Sequence, residues 1–280
     1  MTIFEAYNTT KQKLQKAGIE DFVFEAKQII KHITGLNATQ ILTEYQKKLT
    51  AFQENNLTAL LRQREIRYPL QYIFGEWEFY GRPFYVGPGV LVPRADTETV
   101  VEACLEYLQH IKEPKILDLC TGSGCIGITL ALEKYDSEVS LLEKYDEAYR
   151  YAEKNIVRNE AVNTAIYKGD IFLGDLSDSK YDLIVSNPPY IPENEMKDIS
   201  PEAEFEPVNA LFANDNGLEF YKAVCENYKN SLKPNGMLCF EVGIGKADAV
   251  SQILRDNGFA KITVKKDLNS VDRAVWGFKA

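Results

Sequence analysis

Tyr181-Asp182-Leu183-Ile184-Val185-Ser186-Asn187-Pro188-Pro189-Tyr190 is the stretch on which the reading of this chain turns. Its first half is an apolar, β-branched run of the length expected for a buried strand. Its second half stops that strand abruptly. Two consecutive prolines fix φ and remove two backbone donors, so the strand cannot continue and the loop beyond it is stiff. A rigid corner at the carboxyl end of a strand is where open α/β sheets place their ligands. This corner offers the Asn187 side-chain oxygen, the Pro188 carbonyl and the aromatic face of Tyr190. Two acceptors side by side suit a planar –NH₂ group, which has two hydrogens to give. Tyr190 and the rings of Pro188 and Pro189 can sandwich such a flat group. The plainer alternative is a proline turn that merely ends a strand, and the rest of the chain decides between them.

Around this corner, strand and helix patterns alternate from Lys115 onward. Strands are expected at 115–119, at 138–142 ending in Glu143, near 165–167, at 236–242, around 262–264 and at 274–278. Helices are expected from the end of a glycine-rich turn to Leu132, up to Asn159, over 218–231 and over 247–256. Such alternation predicts a parallel sheet covered on both faces. The turn is Cys120-Thr121-Gly122-Ser123-Gly124-Cys125-Ile126-Gly127. Gly122, Gly124 and Gly127 satisfy G-x-G-x-x-G, and an acid, Glu143, follows about 20 residues on. The glycines let backbone approach a ligand closely, and the acid accepts hydrogen bonds from ribose hydroxyls. An adenosine-containing ligand follows, either a dinucleotide or S-adenosyl-L-methionine (AdoMet). Asp118 tilts the choice toward AdoMet, because a carboxylate near the loop suits a cationic amino-acid moiety and repels a pyrophosphate. The Asn187–Tyr190 corner tilts it further.

The first seventy residues read as helices, with Leu14, Ile19, Phe22, Ile29, Ile30 and Ile33 at helical spacing. Gly35 is placed as a C-cap. Asn37 with Gln40, and Thr50 with Gln53, have the spacing of capping boxes. The last of these helices carries Leu57, Leu60 and Leu61 and must end before Pro69. No catalytic constellation is visible in this segment. A hairpin is expected next, with Glu76–Phe79 and Phe84–Val86 flanking a turn at Gly81-Arg82-Pro83. Asp96 is placed to cap a helix over 97–109.

At 280 residues the chain is expected to hold two domains. With 45% hydrophobic and 26% charged residues it has the composition of a soluble globular protein. It contains no apolar run approaching a membrane span, and its start lacks the pattern of a secretory signal. Cys104, Cys120, Cys125, Cys225 and Cys239 form no CxxC pair, which points to a reducing, cytoplasmic setting. His32 and His110 lie in no motif, so a histidine-based triad or zinc site is not expected and no metal ligand is assigned. The net charge of −9 disfavours a broad phosphate-neutralising surface. The loop from Ile191 to Asn216 adds Glu193, Glu195, Asp198, Glu202, Glu204, Glu206 and Asp215 against Lys197, local repulsion for a nucleic-acid backbone. No stable nucleic-acid binding is therefore expected.

Asp118–Gly127, Glu143 and Asn187–Tyr190 together resemble the Rossmann-like AdoMet-dependent methyltransferases that modify planar amino or amide nitrogens. Two further segments narrow the resemblance. Val90-Leu91-Val92-Pro93-Arg94-Ala95-Asp96-Thr97-Glu98 is similar to the "(V/L)IPRPxTE" segment of release factor glutamine methyltransferases of the PrmC/HemK type. Phe205-Glu206-Pro207, Ala210-Leu211 and Asp215-Asn216-Gly217-Leu218 are similar to that family's "FEPxxAL…DGL" loop. Ala95 for proline, Cys120 for glycine and Ala213-Asn214 for a glycine pair are the departures, and a side chain at Cys120 crowds the cofactor loop. The resemblance covers essentially the whole chain. It implies an α/β fold, a mostly parallel seven-stranded sheet with its last strand antiparallel, preceded by a small all-α bundle and a β-hairpin linker. The implied domains are 1–72 for substrate recognition, 73–93 as linker and 94–280 as the catalytic domain.

The implied reaction is methyl transfer from AdoMet to the side-chain amide nitrogen of the Gly-Gly-Gln glutamine of class I peptide chain release factors, leaving S-adenosyl-L-homocysteine. Asn187 and the Pro188 carbonyl would accept the two amide hydrogens, with Pro189 and Tyr190 beside the group. Glu143 would hold the ribose, the loop Cys120, Thr121, Gly122, Ser123 and Gly124 the methionine part and adjoining ribose, and Asp170 with Ile171 the adenine. No strong general base is needed, since the product can lose its proton late. The enzyme is expected to act as a monomer. A nucleic-acid exocyclic-amine methyltransferase would use the same corner and is the alternative, as is a ribosomal-protein glutamine methyltransferase. A non-catalytic binding module would require a decayed cofactor loop, and a dehydrogenase would need an acid/base that is not visible.

Overall fold

A computed structural model describes residues 1–174 and 179–280. The chain forms two compact units, one of residues 1–75 with 200–205 and the other of 76–199 with 206–280. The first is helical: α1 (Ile3–Lys16), α2 (Phe22–Thr34), α3 (Ala38–Thr43), α4 (Ala51–Glu65) and α5 (Leu70–Phe74). Thr2 with Glu5, Asn37 with Gln40, and Thr50 with Gln53 close reciprocal capping boxes that satisfy backbone donors at three helix starts. Gly35, at φ 69°, ends α2 in the left-handed conformation that glycine adopts cheaply. The core gathers Ile3, Leu14, Ile29, Ile30, Leu57 and Leu61. Such side chains contribute roughly 1.5–3 kcal/mol each when fully buried. Helix α4 ends before Pro69 as the sequence requires. Pro69 then starts α5, which was not expected, because five residues carry too little periodicity to register.

The second unit begins with a hairpin, β1 (Glu76–Phe79) and β2 (Arg82–Tyr85). Its turn is Tyr80-Gly81, with φ of 51° and 71°, rather than Gly81-Arg82-Pro83. Arg82 and Pro83 instead pair with Phe79 and Glu78. Helix α6 (Glu98–Leu108) follows a short 3₁₀ turn at Ala95–Thr97. Asp96 does not cap it; its Oδ2 faces Arg273 Nη2 at 3.3 Å.

Seven strands make the sheet: β3 (Lys115–Leu119), β4 (Glu138–Glu143), β5 (Thr164–Lys168), β6 (Tyr181–Ser186), β7 (Leu232–Glu241), β8 (Phe259–Lys266) and β9 (Asp272–Lys279). Their order is β5-β4-β3-β6-β7-β9-β8. The neighbours from β5 to β7 pair in parallel, and β9 runs antiparallel between β7 and β8. Helices α7 (Cys125–Glu133), α8 (Asp146–Arg158), the single turn α9 (Asn214–Gly217), α10 (Glu219–Tyr228) and α11 (Ala247–Asp256) complete the unit. Alternation along β6 sends Leu183 and Val185 into a core with α6 and α7, and Ile184 into the other core with α10 and α11. Both faces are thus buried, which is why the strand reads as an unbroken apolar run. Strand β8 is longer than expected because its half-exposed residues, Lys261, Lys265 and Lys266 among them, dilute the apolar signal. Among the described residues, no helix is long and apolar enough to cross a membrane. From β3 the sheet grows through β4 and β5 on one side and through β6 on the other, so a crevice opens beyond the carboxyl ends of β3 and β6.

Candidate active site

The crevice is a cleft of about 970 Å³, open solvent included. One wall is the glycine-rich turn between β3 and α7. Gly122 and Gly124 take φ of 57° and 81°. Gly127 has a different reason to be glycine: a Cβ there would lie 2.2 Å from Leu141 Cδ2 and 3.0 Å from Asp118 Oδ2. Cys120 adopts φ 58°, a conformation that costs a non-glycine residue roughly 1–2 kcal/mol. It lines the cleft, and burial pushes its thiol well above the usual range, so the thiol stays neutral.

Asp118 is buried under this turn. Its Oδ2 accepts hydrogen bonds from Thr121 Oγ1 (2.6 Å) and Gly127 N (2.9 Å), while Oδ1 has no partner. Burial raises its pKa to about 7. Asp118 is not among the cleft-lining residues; its carboxyl lies behind the loop, bound to Thr121 and Gly127. Glu143, at the end of β4, does line the cleft. Its Oε2 accepts from Gly122 N at 2.9 Å, and its Oε1 accepts from the N–H groups of Lys144 and Tyr145, both at 2.8 Å. Burial raises its pKa against the pull of these three donors. Asp170 pairs with Lys144 at 2.8 Å and accepts from Phe172 N.

The facing wall is the proline corner. Ser186 ends β6 and donates its hydroxyl to the Leu119 carbonyl at 2.7 Å, locking the corner to the end of β3. Asn187 and Pro189 line the cleft. Among the described residues, neither the Asn187 side chain nor the Pro188 carbonyl has a hydrogen-bond partner. Gly124, Pro188 and Tyr190 are not among the lining residues. The Tyr190 ring packs on Gly243, where a Cβ would come within 2.8 Å of it. The Tyr190 hydroxyl sits 3.5 Å from Glu241 Oε1. Glu241 is itself 2% exposed, with no partner for Oε2, and burial raises its pKa to about 7.

This geometry agrees with the relatives of the chain. Residues 5–75 match the PrmC N-terminal domain and residues 93–204 the methyltransferase small domain. A release factor glutamine methyltransferase of Fusobacterium nucleatum subsp. nucleatum is 37% identical over 99% of this chain and 78% of its own length. One from Geobacter sulfurreducens is 35% identical over 99% of this chain and 96% of its own. This chain belongs to the release factor glutamine methyltransferase family. A solved methyltransferase from Pyrococcus furiosus is 18% identical with a TM-score of 0.52, covering 72% of this chain and 91% of its own, and shares the fold.

The family and its fold are those of methyltransferases that use AdoMet as methyl donor, and the cleft fits that molecule. Leu142, Ile171, Phe172 and Phe220 supply apolar walls suited to a flat base, and Glu143 an acid for hydroxyls. Further lining residues have no site role in the sequence reading: Val90–Arg94, Thr97, Pro207, Asn209 and Ala210. They lie in the two segments that resemble this family, yet no spacing rule joins them. Glu206 does so in three dimensions. It is an ion-pair partner of Arg94, and its Oε2 accepts from Val92 N at 3.2 Å. The acidic loop is also less repulsive than its composition suggests. Glu202 pairs with Arg64 and Arg67, Glu206 with Arg94, Glu195 with Lys246 at 3.8 Å, and Asp215 with Lys222 at 2.5 Å.

Proposed function

We propose that this chain methylates the side-chain amide nitrogen of the glutamine in the Gly-Gly-Gln motif of class I release factors. The observation that carries this is an unpartnered Asn187 side chain lining the same cleft as Glu143 and the glycine-rich turn, next in the chain to the equally unpartnered Pro188 carbonyl. An amide nitrogen is a poor nucleophile because its lone pair is delocalised into the carbonyl. Two acceptors that take both its hydrogens orient the nitrogen and stabilise positive charge growing on it. AdoMet supplies an electrophilic methyl carried on a sulfonium. Glu143 holds ribose hydroxyls, the Cys120–Gly124 turn approaches the methionine part, and Asp170 with Ile171 borders the adenine. Pro189 flanks the amide, and Tyr190 holds the corner from behind.

In this reading, residues 1–72 recognise the protein substrate, 73–93 link, and 94–280 carry the chemistry, in a monomeric cytoplasmic enzyme. Glycines flanking the target glutamine add no side chains to clash, so an extended loop can enter a narrow cleft. Incubating the protein with labelled AdoMet and separate pools of release factor, ribosomal protein and nucleic acid tests the reading. Mass spectrometry is expected to find one methyl on the Gly-Gly-Gln glutamine. A methyl on an adenine or guanine amine, with release factor unmodified, would replace it with the nucleic-acid activity.

A further inference from the structure

The loop that follows the proline corner makes a closed excursion. At its base, Ile191 N donates to the Leu211 carbonyl and Ala213 N to the Ile191 carbonyl, both at 2.9 Å, immediately after Tyr190. On its return limb, Glu206 pairs with Arg94, and Pro207, Asn209 and Ala210 line the cleft. Its tip, residues 200–205, belongs to the helical unit.

What holds the tip there is a single carboxylate gripped by two arginines. Glu202 Oε1 accepts from Arg64 Nη2 and Arg67 Nε, both at 2.7 Å, and Oε2 accepts from Arg67 Nη2 at 2.9 Å. Arg64 is a buried side chain already bound bidentately by Glu25 at 2.8 and 2.9 Å. Arg67 also donates to the Gly18 carbonyl at 2.6 Å and sits at φ 68°, a strained backbone for a residue with a Cβ. Tyr68 adds an edge-on contact with Phe205, with centroids 5.2 Å apart. The two arginines hold the Glu202 carboxyl below its usual range despite burial. A solvated surface pair would be worth little, but this cluster is bidentate, shared and partly dry. When Glu202 is removed, Arg64 still has the Glu25 carboxylate and Arg67 the Gly18 carbonyl as partners. Among the described residues, the loop tip has no second ion pair of its own.

We propose that the Arg64–Glu202–Arg67 cluster is a positioning device for methyl transfer, tethering the loop tip to the helical unit so that a protein substrate held there sets the acceptor wall of the cleft. The inference rests on the function proposed above and adds residues that touch neither cofactor nor the reacting amide. It distinguishes an intact release factor, which engages both units, from a short Gly-Gly-Gln peptide, which engages only the cleft.

The test is steady-state kinetics of Glu202→Gln, Glu202→Asp and Arg67→Gln on both substrates, with AdoMet affinity by calorimetry and helicity by circular dichroism as folding controls. Glu202→Gln and Arg67→Gln are expected to lower kcat for intact release factor by about tenfold, with KM within about twofold. Peptide kinetics and AdoMet Kd should stay within about threefold, and Glu202→Asp, which keeps the charge, should retain kcat within about threefold. Equal losses on factor and peptide, a loss confined to KM, or unchanged kcat in a folded Glu202→Gln protein would each overturn the tether. Failure of the parent protein to methylate release factor would instead remove the underlying function and the tether with it.

Discussion

The two walls of the cleft are built on opposite principles. On the cofactor side, the polar groups are committed to the protein: Glu143 takes three backbone N–H groups, and Asp118 takes a hydroxyl and an N–H. That wall is stiff before any ligand arrives. On the acceptor side, the Asn187 side chain and the Pro188 carbonyl are held by a proline corner and matched to nothing among the described residues. A preorganised wall gives affinity cheaply, because little is left to order. A wall with unmatched acceptors gives selectivity, because only a partner with two hydrogens in one plane compensates their desolvation. Binding and chemistry should therefore separate cleanly under mutation.

The largest expected effect is on the acceptor wall. Asn187→Ala removes one of the two amide acceptors and should cut methyl transfer by on the order of a hundredfold or more, with AdoMet affinity within a few-fold of the parent. Single-turnover rates beside calorimetry would decide it. Turnover surviving within about a factor of three would break the contrast between the walls.

Next comes Glu143→Ala on the cofactor wall. It removes charge-assisted hydrogen bonds to ribose hydroxyls and should cost roughly 1.5–3 kcal/mol of AdoMet affinity. The same carboxylate anchors Gly122 N, so part of that loss will reflect a loosened loop. At saturating AdoMet the methyl-transfer rate should recover most of its parent value. An unchanged AdoMet Kd would remove Glu143 from the cofactor site.

The two walls also differ in how far sequence alone reveals them. The cofactor wall was legible because its determinants are local: three glycines and an acid at fixed offsets, each required by backbone geometry or packing. The corner was legible because two prolines after an apolar run admit few conformations. The sheet followed from alternation of apolar strands and amphipathic helices. What could not be read were pairings across the chain. Arg94 and Glu206 are 112 positions apart, and Arg67 and Glu202 are 135 apart. Charged residues at such separations look like a solvated surface until the fold brings them together. Asp118 was misplaced for a related reason. Its position before the turn is visible in sequence, but the direction of its carboxylate depends on the Thr121 hydroxyl and the Gly127 amide. The turn at Tyr80-Gly81 is not legible in sequence, because Arg82 and Pro83 have the composition of a turn yet pair as strand with Phe79 and Glu78.

The smallest expected effect lies behind the corner, at Glu241. This carboxyl is buried at the end of β7, within 3.5 Å of the Tyr190 hydroxyl, and Thr97, Asp96 and Arg273 are the other groups that act on it. Burial raises its pKa from 4.5 to about 7, with Thr97 and Arg273 opposing the rise. Between those two values the folded protein holds a proton that the unfolded chain has released. Stability therefore falls as pH rises through this window and levels off above about pH 7. Asp118 titrates with the same sign, from 3.8 to about 7, so the parent loses stability from both carboxyls at once. Glu241→Gln removes one of them and leaves Tyr190 an acceptor. The variant should lose less stability than the parent between about pH 5 and pH 8, by a few degrees in Tm. Methyl transfer at neutral pH should change only a few-fold, because Glu241 does not itself line the cleft and reaches it only through Thr97 and the Tyr190 hydroxyl. Thermal scans across that pH range give the comparison, and parallel Tm–pH curves for parent and variant would show that Glu241 does not titrate in the folded protein as its burial requires.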